Sequence, residues 1–387
     1  MTFDPGDLLI CAGADGEECG PDNAAAPSIA QTALFHFPDF EALAAGLADE
    51  FAHRVYTRGR NPTVELFEKK IAALEHAETA KAFASGMGAA SAVMLGLLKR
   101  GDRVLFVNRT YGPVLQLAKH LENFGVAHDR ALDGDVAAVE QALRPETKLI
   151  WLENPGTMTL KLIDVAAIAA LGRARDITTI IDNSWATPLF QKPVSMGVDL
   201  VLHSCSKYIG GHSDVLGGVL AGRKALIEEI FHKAFMLNGA SAAPFEAWLL
   251  IRSLRTLPAR LRQHEEDALQ VAEFLRAHKA VRRVNHPALD EEGAALRRQL
   301  GGTTGLFSFE LKRTVYDDVV RVLNRLKRFR LGVSWGGVGS LAITPQRRDN
   351  TEALKAAGIP AGLIRLSVGL EGAPCLIADL DQALQGL

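Results

Sequence analysis

Between residues 61 and 250, short apolar runs alternate with segments of helical periodicity. The runs are Lys81–Ala84, Arg103–Asn108, Lys148–Glu153, Ile177–Asp182 and Val198–Leu202. Runs of this length, each followed by turn residues, are typical of buried parallel strands. The alternation predicts a large α/β domain over residues 61–250, with a mostly parallel sheet covered by helices on both faces.

After about residue 250 the pattern changes to that of a smaller α+β domain. Two strands with alternating apolar positions are predicted, Leu306–Leu311 and Ile364–Leu370. Helical faces are indicated by apolar residues at spacings of three and four, namely Ala268, Val271, Ala272, Leu275, Val319, Val322, Leu323 and Leu326. Alternating strands are typical of an antiparallel sheet, so residues 251–387 are predicted to form the second domain.

Residues 1–60 show little periodicity and are predicted to form an N-terminal arm that lies over the body of the protein. The prolines that interrupt this stretch are Pro21, Pro27 and Pro38. The arm ends at Asn61 and Pro62, which favour the N-cap and the first position of a helix. That helix is predicted to bury one face, which contains Val64, Phe67, Ile71 and Leu74.

Composition limits the possible partners and compartments. The 387 residues are 48% hydrophobic and 23% charged, and the formal net charge is -2, so neither nucleic acid nor an anionic membrane is expected as a partner. No apolar run reaches the roughly 18 residues of a membrane helix, and the acidic start does not resemble a signal peptide. The cysteines lack metal-site or disulfide spacing; they are Cys11, Cys19, Cys205 and Cys375. A cytoplasmic protein without a bound metal is expected.

The candidate functional residues follow predicted strands, where ligands bind in parallel sheets. Lys207 comes shortly after the strand that ends at Leu202, in a loop rich in glycine and hydroxyl residues. It is either a surface lysine or a Schiff-base lysine, desolvated enough to be nucleophilic near neutral pH. Asp182 closes the preceding strand. It is either a carboxylate that accepts bonds from backbone amides or the partner of a protonated heterocycle nitrogen.

Three further segments are candidates for binding. Ser85-Gly86-Met87 lies between a strand and a helix start, where backbone amides can bind an anion. The competing interpretation is a nicotinamide-dinucleotide fingerprint, but its third glycine is missing and the next strand ends in Asn108 rather than an acid. Tyr111 is either a half-buried packing residue or one that stacks on a flat ring beside the phosphate site. Arg365 either faces solvent or points into a cleft, where it could bind a carboxylate.

A lysine, an acid, an anion site, a stacking aromatic and an arginine are together what pyridoxal phosphate needs to process an amino acid. Five motifs occur in order: Tyr56-x-Arg58 with Asn61-Pro-Thr, Ser85-Gly86-Met87, Asp182-Asn-x-Trp, Ser204-x-Ser206-Lys207-Tyr and Arg365-Leu-Ser. In these motifs the chain resembles the pyridoxal-phosphate enzymes of cysteine and methionine metabolism, from about Pro27 to the C-terminus. The resemblance implies pyridoxal 5'-phosphate as cofactor and a large domain of the fold type I, aminotransferase-like kind.

The resemblance also implies roles for individual residues. Lys207 and Tyr111 are the implied catalytic residues, and Asp182 is implied to face the ring nitrogen of the cofactor. The implied phosphate-binding residues are Ser85, Gly86, Met87, Ser204 and Ser206, together with Tyr56 and Arg58 from a neighbouring subunit. The implied substrate-binding residues are Arg365, Ser334, Thr157 and Tyr56. An active site shared between subunits implies a homo-oligomer, expected to be a homotetramer built as a dimer of active dimers.

Within the family, several stretches look most like bacterial cystathionine β-lyase. They include Arg283-Val-Asn-His-Pro-Ala-Leu, Ser334-Trp335-Gly-Gly and Glu153-Asn-Pro-Gly-Thr157. The lysine loop instead resembles the γ-type enzymes, and Val333 occupies a position where relatives carry tyrosine or glutamate. The expected activity is a carbon–sulfur lyase that performs β-elimination on cystathionine or a related sulfur amino acid. The alternative is γ-elimination or γ-replacement, including a non-sulfur leaving group such as that of canavanine.

Overall fold

The computed structural model of the protein describes residues 3–16 and 23–387, so Cys19 and Pro21 lie outside the described residues. Its larger sheet has seven strands: β1 (Thr79–Phe83), β2 (Arg103–Val107), β3 (Ala127–Ala131), β4 (Thr147–Glu153), β5 (Thr178–Asp182), β6 (Leu200–Ser204) and β7 (Gly218–Gly222). Their spatial order is β1-β7-β6-β5-β4-β2-β3. The pairs among β2 to β6 are parallel, whereas β7 runs antiparallel to both of its neighbours.

The smaller sheet is formed by the C-terminal part of the chain. Its strands are β8 (Val281–Asn285), β9 (Leu306–Leu311), β10 (Arg330–Leu331), β11 (Leu341–Ile343) and β12 (Leu363–Ser367). They lie in the order β10-β11-β12-β9-β8, and every pair is antiparallel except the short β10–β11 pair. The fold class predicted from the sequence, a mostly parallel sheet plus a smaller α+β unit, is confirmed.

Fifteen α-helices accompany these sheets in the described residues. They are α1 (Pro5–Ala12), α2 (Phe40–Ala48), α3 (Pro62–Leu74), α4 (Gly86–Leu97), α5 (Gly112–Leu121), α6 (Val136–Ala142), α7 (Val165–Ala174), α8 (Thr187–Phe190), α9 (Lys224–Ile230), α10 (Met236–Asn238), α11 (Pro244–Leu254), α12 (Leu257–Ala277), α13 (Tyr316–Arg325), α14 (Thr351–Ala356) and α15 (Ala373–Leu384). No helix of the described part of the chain has both the length and the apolar character to cross a membrane.

The larger sheet is covered on both faces because three of its central strands, β2, β4 and β6, are apolar at most positions. Neighbouring side chains on a strand point to opposite faces. Phe106 therefore packs in the cluster with α4 and α5, whereas Leu105 packs in the cluster with α6 and α7. The carboxyl edge of this sheet carries several of the predicted site residues, among them Asp182, Ser204 and Lys207.

The N-terminal segment contains more regular structure than its sequence pattern predicts. Helix α3 begins as expected, with the Asn61 side chain accepting a bond from the Thr63 amide at 3.0 Å and Pro62 at the first position. Helices α1 and α2 are not predicted from periodicity. They have 8 and 9 residues and are started by the capping carboxylates of Asp4 and Asp39. Helices so short show too few turns for a clear apolar stripe.

Candidate active site

The carboxyl ends of β4, β5 and β6 open into a cavity of about 220 Å³ between the two sheets. Loops after β1 and β2, together with the Arg365 strand of the smaller sheet, complete its wall. Eleven of the predicted site residues line it: Ser85, Gly86, Met87, Tyr111, Thr157, Asp182, Ser204, Ser206, Lys207, Ser334 and Arg365. Residues far apart in sequence are thus gathered at one place.

Tyr56 and Arg58 are the predicted site residues that do not line this cavity. Tyr56 is 44% exposed and pairs with Leu34 in an isolated β-bridge of the arm. The exposed guanidinium of Arg58 lies 5.7 Å from the Tyr56 ring. The buried Lys81 ammonium holds the arm next to them by donating to the Gly59 carbonyl at 2.7 Å. Their predicted role in the site of a neighbouring subunit therefore stays a prediction.

Lys207 lies in a turn that directs its amine into the cavity. The Lys207 amide donates to the Ser204 carbonyl at 3.1 Å, and the Lys207 carbonyl accepts from Gly211 at 2.7 Å. Its Nζ donates to Ser204 Oγ at 3.2 Å and lies 5.5 Å from the Trp335 ring. Burial lowers the pKa of Lys207, although the Asp182 carboxylate opposes this effect. The amine is therefore closer to its neutral, nucleophilic form than a surface lysine.

The lysine turn is supported from behind by the smaller unit of the fold. Arg260 on α12 donates to the Tyr208 carbonyl at 2.7 Å and to the Ser253 carbonyl at 2.9 Å. Gly336 has a φ of 81° and sits against the turn, where a Cβ would lie 2.9 Å from the Tyr208 amide nitrogen. Only glycine permits this approach without strain. The close packing brings Ser334 and Trp335 beside Lys207.

Asp182 is the last residue of β5 and faces the same cavity as Lys207. Its Oδ1 accepts a bond from the Ser184 amide at 3.0 Å. The sequence left Asp182 as either an acceptor of backbone bonds or the partner of a ring nitrogen. In the structure one oxygen accepts a backbone bond, and the side chain also lines the cavity. The described residues contain no ion pair to Asp182, so a cationic ligand group in the cavity could supply one.

The segment Ser85–Met87 forms an anion-binding corner at the N-terminus of α4. Ser85 is the N-cap, and its Oγ accepts a bond from the Gly88 amide at 3.0 Å. Gly86 and Met87 occupy the first two helical positions, whose amides have no acceptor within the helix. A Cβ on Gly86 would lie 3.0 Å from Ser204 Cβ, and one on Gly218 would lie 2.2 Å from the Ser85 carbonyl oxygen. Backbone and hydroxyl groups therefore converge here because glycine allows it.

Tyr111 and Arg365 both belong to the cavity wall. The Tyr111 side chain is 48% exposed, and its amide donates to Glu153 Oε2 at 2.7 Å. Arg365 is partly buried, and burial lowers its pKa to about 10. Its guanidinium donates to the Ser334 carbonyl at 3.1 Å, and it has no carboxylate partner in the described residues. The structure thus places Arg365 in the cleft and not in open solvent.

Two residues of the wall were not identified from the sequence as functional. Glu153 ends β4 in register with Asp182 at the end of β5. The strand-end argument that selected Asp182 applies equally to Glu153, so the signal was present. Trp335 follows Ser334 directly and contacts Lys207 through its ring. Its position could not be inferred from local pattern, because it depends on how the smaller sheet packs against the larger one.

Each reactive or charged group of pyridoxal phosphate has a complementary protein group in the cavity. A desolvated amine can bind its aldehyde, and a carboxylate at a strand end can pair with its ring nitrogen. The corner at Gly86 and Met87, with the Ser204 hydroxyl, provides donors for a phosphate. The walls between these groups include apolar side chains suited to a flat ring, which are Met87, Ala90, Val114 and Leu202.

Comparison with known proteins places this site in a family. The family model described as "Cys/Met metabolism PLP-dependent enzyme" matches residues 8–385. An L-methionine gamma-lyase from Pseudomonas deceptionensis is 37% identical over 376 residues, covering 95% of this chain and 94% of that protein. A cystathionine beta-lyase from Coxiella burnetii is 37% identical over 339 residues, covering 85% of this chain and 87% of that protein.

A solved structure agrees over the whole length of the chain. It is an O-acetylhomoserine (thiol)-lyase from Campylobacter jejuni, described as containing N'-pyridoxyl-lysine-5'-monophosphate. It superposes with a TM-score of 0.92 and 28% sequence identity, covering 99% of this chain and 100% of that chain. The chain therefore belongs to the pyridoxal-phosphate-dependent enzymes of Cys/Met metabolism.

Proposed function

We propose that this enzyme is a carbon–sulfur lyase that performs β-elimination on cystathionine or a related sulfur amino acid, giving a keto acid, ammonia and a thiol. The observation that carries the proposal is the convergence of Lys207, Asp182 and Arg365 on one cavity. An amine, a ring-nitrogen partner and a carboxylate site are the groups that elimination from an amino acid requires. The sulfur substrate is supported by the names of the relatives.

Groups in the cavity would hold each part of pyridoxal phosphate. The Gly86 and Met87 amides, with the hydroxyls of Ser85, Ser204 and Ser206, would bind its phosphate. Asp182 would keep its ring nitrogen protonated, and Tyr111 would pack against its ring. When bound, pyridoxal phosphate supplies an electron sink for the electron pair released when Cα loses its proton.

The chain's own residues then orient the substrate and move one proton. The Arg365 guanidinium, oriented by the Ser334 carbonyl and assisted by Thr157, binds the substrate carboxylate. Lys207 Nζ, whose pKa burial lowers, accepts the Cα proton as general base. The Cβ–S bond breaks with its electron pair on sulfur, so a thiolate leaves and takes up a proton. Addition of water to the remaining three-carbon unit yields pyruvate and ammonia.

The complete site is proposed to require a second subunit. Tyr56 and Arg58 are exposed and do not line the cavity of their own chain. A phosphate already held by neutral donors would gain a charge-assisted bond from a partner's Arg58. The proposed assembly is a homotetramer built as a dimer of active dimers, in which each arm completes the neighbouring site.

A specific observation also favours the alternative, γ-elimination from an amino acid with an apolar side chain. Leu216 lines the cavity and is 71% exposed. Its side chain cannot bind the charged distal end of cystathionine, whereas it suits a methionine-like substituent. This route needs a second deprotonation at Cβ, and it gives 2-oxobutyrate instead of pyruvate.

Identification of the keto acid separates the two routes. The purified enzyme, loaded with pyridoxal phosphate, is incubated separately with L-cystathionine, L-methionine and L-canavanine. Pyruvate from cystathionine supports β-elimination, and 2-oxobutyrate from methionine supports the alternative. Absence of pyruvate from cystathionine refutes the first proposal. The Lys207→Ala variant is the control, and it should lose both the keto acid and the yellow absorption band of the bound cofactor.

A further inference from the structure

Two carboxyl side chains face the cavity from adjacent strand ends. Glu153 ends β4, Asp182 ends β5, and the two residues are paired in register. Because residues in register on parallel strands point to the same side, both side chains line the cavity. The proposed reaction has a role for Asp182 and none for Glu153.

The contacts of Glu153 connect two turns that carry proposed ligand-binding residues. Its Oε2 accepts a bond from the Tyr111 amide at 2.7 Å. The Thr157 amide, which donates to the Arg109 carbonyl at 2.8 Å, also faces the Glu153 carboxyl. The Glu153 backbone is fixed as well, since Asn108 Nδ2 donates to its carbonyl at 3.0 Å. One side chain thus lies between the Tyr111 turn and the Thr157 turn.

The electrostatic surroundings of Glu153 disfavour its ionised form. Within the described residues no lysine, arginine or histidine forms an ion pair with it. The charged groups that share its cavity are Asp182, Lys207 and Arg365, and Asp182 is the one that acts on it. Burial and then the Asp182 carboxylate raise the pKa of Glu153 well above its ordinary value, although the bond from the Tyr111 amide and the nearby Thr157 amide partly oppose this.

We propose that Glu153 is a positioning residue whose carboxyl group joins the Tyr111 turn to the Thr157 turn beside Asp182, the group that pairs with the cofactor ring. A neutral acid still accepts amide bonds through its carbonyl oxygen, so the turns are held without a second negative charge beside Asp182. The inference rests on the proposed function, because it assumes that pyridoxal phosphate occupies the cavity.

The experiment compares a neutral isostere with an apolar replacement. Apoenzyme of the wild type, Glu153→Gln and Glu153→Leu is titrated with pyridoxal phosphate, and the dissociation constant is read from the visible absorption band. Glu153→Gln keeps the acceptor and the neutral charge, so its affinity should stay within about threefold of the wild type. Glu153→Leu loses the acceptor for the turn amides, and its affinity should fall by roughly tenfold to a hundredfold.

A pH series adds a measurement that a merely structural role would not change. The folded-state pKa of Glu153 is raised, so the stability that its neutral form contributes is present at low pH and is lost as pH rises through that pKa. As the wild-type Glu153 ionises beside Asp182 over that rise, the affinity ratio of Glu153→Gln to wild type should increase with pH. Apoenzyme unfolding should accordingly depend less on rising pH in Glu153→Gln.

A matched control and the contrary outcomes complete the test. Glu310 is a buried strand glutamate of the smaller sheet that likewise accepts bonds, here from Arg282 and Asn285. Glu310→Leu should lower apoenzyme stability while leaving cofactor affinity unchanged. If Glu153→Gln bound pyridoxal phosphate as weakly as Glu153→Leu, the negative charge of Glu153 would be required for binding. If Glu153→Leu bound pyridoxal phosphate like the wild type, Glu153 would have no positioning role. Either result overturns the inference. Failure of the wild type itself to bind pyridoxal phosphate would instead overturn the proposed function.

Discussion

Replacing Arg365 with leucine tests how the cavity recognises its substrate. The guanidinium is partly buried and faces the cavity, and within residues 3–16 and 23–387 it is bonded only to the neutral Ser334 carbonyl. It therefore has donors free for a substrate carboxylate, and two parallel bonds to that group are possible. Truncating one partner of such a desolvated, hydrogen-bonded charge pair costs about 2 to 5 kcal/mol. At about 1.4 kcal/mol for each factor of ten, binding should weaken roughly 30-fold to 4,000-fold.

The stability of the protein should change in the opposite sense to its activity. Burial lowers the pKa of Arg365 to about 10, which shows that the folded protein disfavours the charge in the absence of a partner. Leucine relieves this desolvation and loses one hydrogen bond to Ser334. The free energy of unfolding of Arg365→Leu apoenzyme should thus equal or exceed that of the wild type. A residue that serves substrate binding at the expense of stability is expected to behave in this way.

The assay measures KM and kcat for keto acid formation together with cofactor affinity. Arg365→Leu should raise KM strongly and leave pyridoxal phosphate binding within about threefold of wild type. Arg365→Lys should be intermediate, because it keeps the charge but loses the planar fork. Leucine at the exposed Arg283 is the control for removing an arginine from the same sheet. An unchanged KM in Arg365→Leu, or a large loss of stability, would refute this reasoning.

Three further predictions concern the anion corner, a buried histidine and the partner subunit. Gly218→Ala places a Cβ 2.2 Å from the Ser85 carbonyl oxygen. The substitution should lower the free energy of unfolding by about 1 to 3 kcal/mol and weaken pyridoxal phosphate binding. Equal affinity of variant and wild type in a titration would contradict the role of this corner. Burial lowers the pKa of His264 to about 4, so the stability contributed by its neutral form is present above about pH 6.5 and is lost as pH falls toward 4. Urea unfolding should show a loss of about 2 kcal/mol from this group between pH 7 and pH 5, and His264→Gln should lack that part; an unchanged pH dependence in the variant would disprove the assignment. The Arg58→Ala and Lys207→Ala variants should each be inactive alone, and a mixture of the two should recover activity after co-refolding. The reason is that a hybrid dimer contains one site without either change. No recovery would exclude sharing of the arm between subunits.

The sequence pattern was informative wherever structure depends on neighbouring residues. The capping pair Asn61–Pro62 and the apolar face of α3 predicted the start and orientation of that helix, and both are found. The strand β7, by contrast, was not predicted, because Gly218–Gly222 is a short run bounded by glycines directly after a glycine-rich loop. Its antiparallel insertion between β1 and β6 is a property of the whole sheet.

The candidate site shows the same division. The order of strands and turns alone placed Lys207 and Asp182 at one edge, because the carboxyl ends of neighbouring parallel strands meet there. Glu153 also ends a parallel strand, so the same argument could have selected it. Its position beside Asp182, however, follows only from the observed pairing of β4 with β5. For Arg365 the sequence allowed two orientations, toward solvent or into the cleft, because its strand belongs to the other sheet.

The sequence by itself determined the fold class, the family and the chemical groups of the site, because these follow from local periodicity and from motifs of a few residues. Only the tertiary structure decided that Arg365 points into the cleft, that Glu153 stands beside Asp182, and that Tyr56 lies outside the cavity of its own chain. These facts depend on how separate elements pack. Packing is fixed by the summed burial of both sheets, and no single segment of the chain encodes it.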